Sequence, residues 1–322
     1  MIGINSDARW IPFRAISLAY VICADVPVIT SCVSSSTLDS MIVHAPAKIN
    51  LGLEVLRKRP DGYHDIASIF LPVALSDTLT VERSRTPSCT CIPPVTGTPD
   101  QNLVYQALVR YAEAFPADQW SAKITVEKRI PTGGGLGGGS SDAASALMAV
   151  ASLNGRDDAD SHHRLAEIAL SLGSDVPFFL TRSAALVEGR GEIITPIDVP
   201  SPWWVVLVLP GIHVNTAQAY STLGITGGKA QTDLVEKYRK SLVDNSSMQE
   251  DFTNDFERAV FQQHPELATI KQRLLDTTAT YAAMSGSGST MFGLYTTVDN
   301  ATSAISNLSD LETRLCSPFT AA

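Results

Sequence analysis

Residues 131–141 read Pro131-Thr132-Gly133-Gly134-Gly135-Leu136-Gly137-Gly138-Gly139-Ser140-Ser141. Six of these eleven positions lack a Cβ, so backbone N–H groups along the run can approach a ligand without steric screening. Upstream, Lys123–Ile130 alternates through Ile124, Val126 and Ile130 until Pro131 ends it, which is the period of a strand. Downstream, Ala143, Ala144, Leu147 and Val150 mark a helix beginning around Ser140. A glycine run that leaves a strand and enters a helix brings unsatisfied N–H donors and the positive end of the helix dipole to one place, and that place favours phosphate. Ser140 and Ser141 add hydroxyls that can cap the helix or touch a bound Mg²⁺. A flexible linker would not sit between an alternating strand and an alanine-rich helix.

Three familiar phosphate loops fail the comparison. Gly133, Gly135 and Gly138 satisfy G-x-G-x-x-G, but a dinucleotide fold also needs an acidic residue ending the next strand about 20 residues on. Here the helix runs instead into a polar loop over Asn154–Asp160. A Walker A loop needs Gly-Lys-Ser/Thr, and no lysine follows these glycines. The His-Arg-Asp and Asp-Phe-Gly segments of protein kinases are absent.

Composition sets the wider bounds. The 322 residues are 44% hydrophobic and 18% charged, a globular balance with room for two domains. With 24 Lys+Arg against 33 Asp+Glu the net charge is −9, which argues against a protein that coats nucleic acid or an anionic membrane. An anionic small substrate remains compatible. Five cysteines without paired C-x-x-C spacing suggest neither a zinc site nor a disulfide framework, and point to a reducing cytosol. The apolar stretch Ala15–Ala24 is too short to span a bilayer. Residues 1–40 are expected to be a non-core extension, and Met41 opens the first strand pattern.

Working outward, Met41–Val43, Ile49–Leu56, Ile66–Val73 and Thr78–Glu82 read as strands, with a turn at Pro60-Asp61-Gly62. Ser84–Asp100 holds four prolines and reads as a loop or ragged edge. Asn102 caps one helix and Ser161 another. Ala184–Glu188 and Glu192–Thr195 form a hairpin, and the proline-rich Pro196–Pro202 reads as a domain linker. Trp203–Leu209 is a buried strand. Helices are expected at Thr216–Leu223, Asp233–Val243, Asp255–Phe261 and Pro265–Asp276, strands at Ala279–Met284 and Met291–Tyr295, and a closing helix over Asn300–Leu315. The fold class is α+β in two domains, 41–196 and 203–315.

Pro131–Ser141 resembles the phosphate loop of the GHMP kinase superfamily. Ala45-Pro46-Ala47-Lys48-Ile49-Asn50-Leu51 resembles its first motif, and Met284-Ser285-Gly286-Ser287-Gly288-Ser289-Thr290 its third, in the expected order. Within the family, Asp61-Gly62-Tyr63-His64, Gly173-Ser174-Asp175-Val176-Pro177-Phe178, Pro210-Gly211 with Asn215-Thr216, and Asn254-Asp255-Phe256-Glu257 are similar to the branch acting on a cytidine-diphosphate-linked sugar alcohol of the non-mevalonate isoprenoid route. The resemblance spans essentially Met41–Leu315. One departure is Asp142, where relatives carry Asn; its carboxylate either reaches Mg²⁺ or sits favourably in the first helical turn.

The resemblance implies ATP bound along Pro131–Ser141, with Mg²⁺, and a kinase that phosphorylates an alcohol. Its metal ligands are not assigned by the sequence. It gives Asp175 the role of base and Lys48 that of its charge partner, as phosphoryl transfer requires an oriented hydroxyl and neutralised charge. It places Asn50 at the acceptor end, His64 on the cytosine edge, and Tyr63 and Tyr220 as aromatic faces for the base. The alternatives are a homoserine- or mevalonate-type GHMP kinase, for which a Tyr-His pair in the 61–64 loop has no purpose, and a silent nucleotide-binding regulator, which would have lost the Lys48 or Asp175 charge.

Overall fold

The computed structural model describes residues 40–318 apart from 96, 182, 199–200, 226–227, 229–230 and 245–247. The extension expected over residues 1–40 therefore lies outside the described residues except for Ser40, and part of the Pro196–Pro202 segment does too.

Two long strands frame the first half. β1 (Ser40–Lys58) and β2 (His64–Ser84) pair antiparallel along nearly their whole length, joined by the Pro60-Asp61-Gly62 turn. Each absorbs two of the strands read from sequence, because register shifts at Pro46/Ala47, Leu51/Leu53 and Val55/Arg57 let one strand bend without ending. β3 (Ser88–Ile92) follows, within the segment read as loop or edge. It pairs parallel with β4 (Ser121–Glu127), and the half-buried Cys89 and Cys91 alternate with exposed Ser88, Thr90 and Ile92. β5 (Ala185–Gly189) and β6 (Ile193–Pro196) form the expected hairpin. The sheet order is β3-β4-β2-β5-β6, with β1 on β2.

The helices of this half are α1 (Leu103–Ala114), α2 (Gly138–Leu153), α3 (Ala159–Leu172) and the single turn α4 (Phe178–Thr181). Asn102 caps α1 as expected, accepting from the backbone N–H of Val104 and Tyr105. The cap of α3 is Asp158 rather than Ser161: its carboxylate accepts from the Ser161 N–H, and Ser161 already lies in the first turn. Asp and Ser three residues apart offer the same signal, and the carboxylate takes the role.

The second half is built on β7 (Trp204–Val208), followed by α5 (Thr216–Leu223), α6 (Leu234–Asp244), α7 (Met248–Asp251), α8 (Phe256–Gln263) and α9 (Pro265–Leu275). β8 (Tyr281–Met284), β9 (Met291–Tyr295), α10 (Val298–Asn307) and β10 (Thr313–Cys316) complete it. The expected closing helix stops at Asn307, and the chain returns as β10 antiparallel to β7, giving the order β10-β7-β9-β8. Four residues are too few to show a strand period, so this strand depends on the hydrogen bonds that β7 offers.

One apolar cluster joins the halves. Ala47, Ile49 and Leu51 of β1 pack with Trp203, Leu207, Tyr238, Tyr281 and Phe292, all buried. β1 therefore contributes one face to the shared core and frees the other for polar residues. Among the described residues no helix is long and apolar enough to cross a membrane.

Candidate active site

Strand alternation puts Lys48 and Asn50 on one face of β1, opposite Ile49 and Leu51. Both are almost fully buried. The Lys48 ammonium donates to Asn50 Oδ1 at 2.7 Å, sits 4.5 Å from the centroid of the Phe70 ring, and lies 3.6 Å from Asp175 Oδ2. Burial pushes Lys48 below the ordinary lysine value, and the Asp175 charge opposes that fall. The Lys48 side chain is 4% exposed and that of Asp175 35%, so the carboxylate faces the open cleft and the ammonium backs it.

Asp175 lies in the turn that leads from α3 into α4. The turn is held by hydrogen bonds from Val176 N–H to the Gly173 carbonyl and from Phe179 N–H to that of Val176. Phe178 packs edge-on against Phe70 and Phe179, which carries the turn up against β2.

The glycine run links the two halves. Leu136 accepts a backbone hydrogen bond from Lys48, so the loop is fastened directly to β1. On its other side, Ser285 Oγ donates to the Gly135 carbonyl and Thr290 N–H to that of Gly134. Gly135 has φ +78°, and a Cβ there would fall 2.1 Å from the Ser285 carbonyl oxygen, so only glycine fits the crossing. The third motif is itself braced: Asn254 Nδ2 donates to the carbonyls of Met284 and Gly286, and Glu257 accepts from Met284 N–H. Asn254 and Glu257 were picked out only by resemblance, and here both hold backbone in place.

α2 starts at Gly138, with left-handed Gly137 as its cap, two residues before the position read from sequence. The cap uses no side chain, so neither serine caps the helix. Ser140 and Ser141 lie in the first turn, and the buried Ser141 Oγ has no hydrogen-bond partner in the structure. An orphaned hydroxyl beside free helix N–H groups suits a phosphate and its accompanying cation. Asp142 follows Ser141, and its buried Oδ1 likewise has no hydrogen-bond partner. Its Oδ2 is 2.6 Å from Lys128 Nζ, which also contacts the fully buried Asp77. Asp77 in turn accepts from Arg129 and Ile130 N–H, at 2.5 and 2.8 Å. Burial pushes the Asp142 carboxyl up to about 7 against the pull of Lys128. Of its two expected roles, the place in the first helical turn does not hold, because α2 begins at Gly138 and Asp142 lies beyond that turn. Asp77, inside β2, and Lys128, just past β4, give no sign in the sequence, because a lone charged residue carries no pattern of its own.

Across the cleft, His64 stacks on Tyr220, with ring centroids 4.8 Å apart and planes at 17°. Burial, then the charge of Lys58, lowers the His64 value, so the imidazole is neutral at pH 7. The Tyr220 phenol is pushed up to about 12 by burial and by the Asp175 charge, which ties the aromatic pair to the Lys48–Asp175 pair. Tyr63 stands apart from them, half exposed, with the Arg190 guanidinium 5.1 Å from its ring centroid. Arg59 secures this rim through Asp61 and Asp65.

A left-handed glycine loop at a helix N-terminus, crossed by a Gly-Ser loop and flanked by a buried lysine and a cleft-facing aspartate, defines a small-molecule kinase of the GHMP class. The models for the GHMP kinases N terminal domain and the GHMP kinases C terminal match residues 102–183 and 238–311. The 4-diphosphocytidyl-2-C-methyl-D-erythritol kinase of Geobacter metallireducens is 39% identical over 278 residues, covering 85% of this chain and 96% of the relative. The chain belongs to the 4-diphosphocytidyl-2-C-methyl-D-erythritol kinase family. The Solibacter usitatus enzyme of the same name is 45% identical over 267 residues, covering 81% and 83% of the two chains. A crystal structure of 4-(cytidine 5'-diphospho)-2C-methyl-D-erythritol kinase superimposes with a TM-score of 0.75 at 33% identity, covering 87% of this chain and 100% of that one. Homoserine kinase from Cytophaga hutchinsonii shares the fold at 18% identity, with a TM-score of 0.67 and coverage of 89% and 97%.

Proposed function

We propose that this chain transfers the γ-phosphoryl group of ATP to the 2-hydroxyl of 4-diphosphocytidyl-2-C-methyl-D-erythritol, in the non-mevalonate route to isoprenoid precursors and in the cytoplasm. The observation that carries the mechanism is the Lys48–Asp175 pair, 3.6 Å apart, with Lys48 on the strand to which the glycine loop is directly hydrogen-bonded. Asp175 accepts the proton of the attacking hydroxyl. Lys48 keeps Asp175 ionised and offsets the charge that develops during transfer. Segments 41–196 and 203–315 act as the two walls of the cleft.

The loop from Pro131 to Ser141 holds the ATP phosphates through backbone N–H groups. The hydroxyls of Ser140 and Ser141 would hold Mg²⁺ on the protein side, where it would neutralise charge on those phosphates. Tyr220, and Tyr63 from the rim, supply aromatic faces for the cytosine, His64 binds its edge, and Asn50 contacts the acceptor end.

The test is ADP release with Mg²⁺-ATP and four acceptors: 4-diphosphocytidyl-2-C-methyl-D-erythritol, homoserine, mevalonate and galactose. Turnover with the cytidine compound alone is expected. Turnover with another acceptor would discard the nucleobase pocket and keep the phosphate loop.

A further inference from the structure

The Lys48 ammonium is held by more than its ion pair. β1 and β2 change register at Gly52: Leu51 pairs with Ile69 and Leu53 with Ser68, leaving Gly52 as an extra residue with φ +66°. Such a bulge bends a strand and re-aims its neighbours, and it takes a positive φ that glycine alone adopts freely. The Gly52 carbonyl accepts from Ser68 Oγ at 2.5 Å. The single hydroxyl proton of Ser68 is thereby committed, and its oxygen can only accept from Asn50 Nδ2, 3.1 Å away. The direction of that bond fixes the Asn50 amide with Oδ1 toward Lys48, where it accepts at 2.7 Å. Ser68 is wholly buried, and burying three polar side chains in a row is costly unless each is paired.

We propose that Ser68 is a positioning residue for phosphoryl transfer: anchored on the Gly52 bulge, it sets the Asn50 amide, which holds the Lys48 ammonium against Asp175. The inference rests on the reading of Lys48 and Asp175 as the reacting pair. Without the Ser68 hydroxyl the Asn50 amide is free to turn, and its NH₂ would then face the ammonium with a donor where an acceptor is needed.

The test is steady-state kinetics of Ser68→Ala and of Ser68→Cys, which keeps the volume with a weaker hydrogen bond, in wild-type and Lys48→Met backgrounds. Ser68→Ala should lower kcat about tenfold with KM for ATP unchanged, the scale expected for a small misplacement of a reacting group. The alkaline limb of the kcat–pH profile should move to lower pH, because the ammonium loses an acceptor that favours its charged form. Ser68→Cys should lie between, and it carries the test if the alanine variant does not fold. In the Lys48→Met background neither change should lower the residual rate further. Unchanged kcat in a folded Ser68 variant, an unmoved alkaline limb, or an equal loss in both backgrounds would overturn the proposal. Wild-type turnover by Lys48→Met would instead bring down the reacting-pair reading, and this inference with it.

Discussion

Asp142→Asn should make the protein more stable at pH 8, by an amount that fades as the pH falls. The carboxyl is 4% exposed and held near 7 against an ordinary 3.8, because burial outweighs its ion pair with Lys128. The folded value lies above the unfolded one, so the folded state binds the extra proton between these limits. The stability that this contributes is complete below pH 3.8 and lost as pH rises through 7. At about 1.4 kcal/mol for each tenfold change, the ionised carboxylate costs about 4 kcal/mol at pH 8 and about 2 kcal/mol at pH 5. Asparagine has the shape of the protonated acid and carries no such cost, while Lys128 keeps Asp77 as its partner. Thermal unfolding at pH 8 should show a midpoint raised by about 10 °C, at 2–4 °C per kcal/mol for a chain of this size, and by about half that at pH 5. A variant less stable than the wild type at pH 8, or a gain that does not depend on pH, would mean that the Lys128 pair outweighs the burial and refute the reasoning.

Four further outcomes follow from the same geometry. Asp175→Asn should bind ATP normally and lose about 10²–10⁴-fold in kcat, read by calorimetry beside ADP release, with near-normal turnover refuting its role as base. His64→Ala should raise KM for the cytidine substrate about 2- to 10-fold, the range of one lost hydrogen bond, and that for ATP much less. Arg190→Ala removes the cation behind Tyr63, and should raise KM for the cytidine substrate about 2- to 10-fold with thermal stability unchanged; an equal rise for ATP would contradict that placement. Gly135→Ala places a Cβ against the Ser285 carbonyl at a positive φ, and chemical denaturation should show a loss of at least about 2 kcal/mol.

Much of the site was readable before the fold. The strand–glycine run–helix order identified the phosphate loop because each part has a local signal: period two, missing Cβ atoms, then helical spacing. Lys48 and Asn50 share a face by strand alternation alone. Where the reading slipped, local signals were weak or duplicated. Two candidate caps stood three residues apart before α3, glycine rather than serine capped α2, and the edge strand β3 hid among prolines. Ser68 gave no sign, because a lone serine within an apolar strand says nothing about what it will face.

The sequence by itself determined most of the segments: which long stretches are strands and helices, which loop suits phosphate, and which residues carry charge or aromatic rings. Those properties are set by neighbours in the chain. The tertiary structure alone decided the meetings: Lys48 with Asp175, the glycine loop with Ser285 and Thr290, His64 with Tyr220, and Asp142 with Lys128. Each joins residues from different elements, and the choice among possible partners is made by packing. The apolar face of β1, buried in the core that both halves share, forces its polar face toward the cleft, and burial there leaves each charge only the partner that the fold supplies.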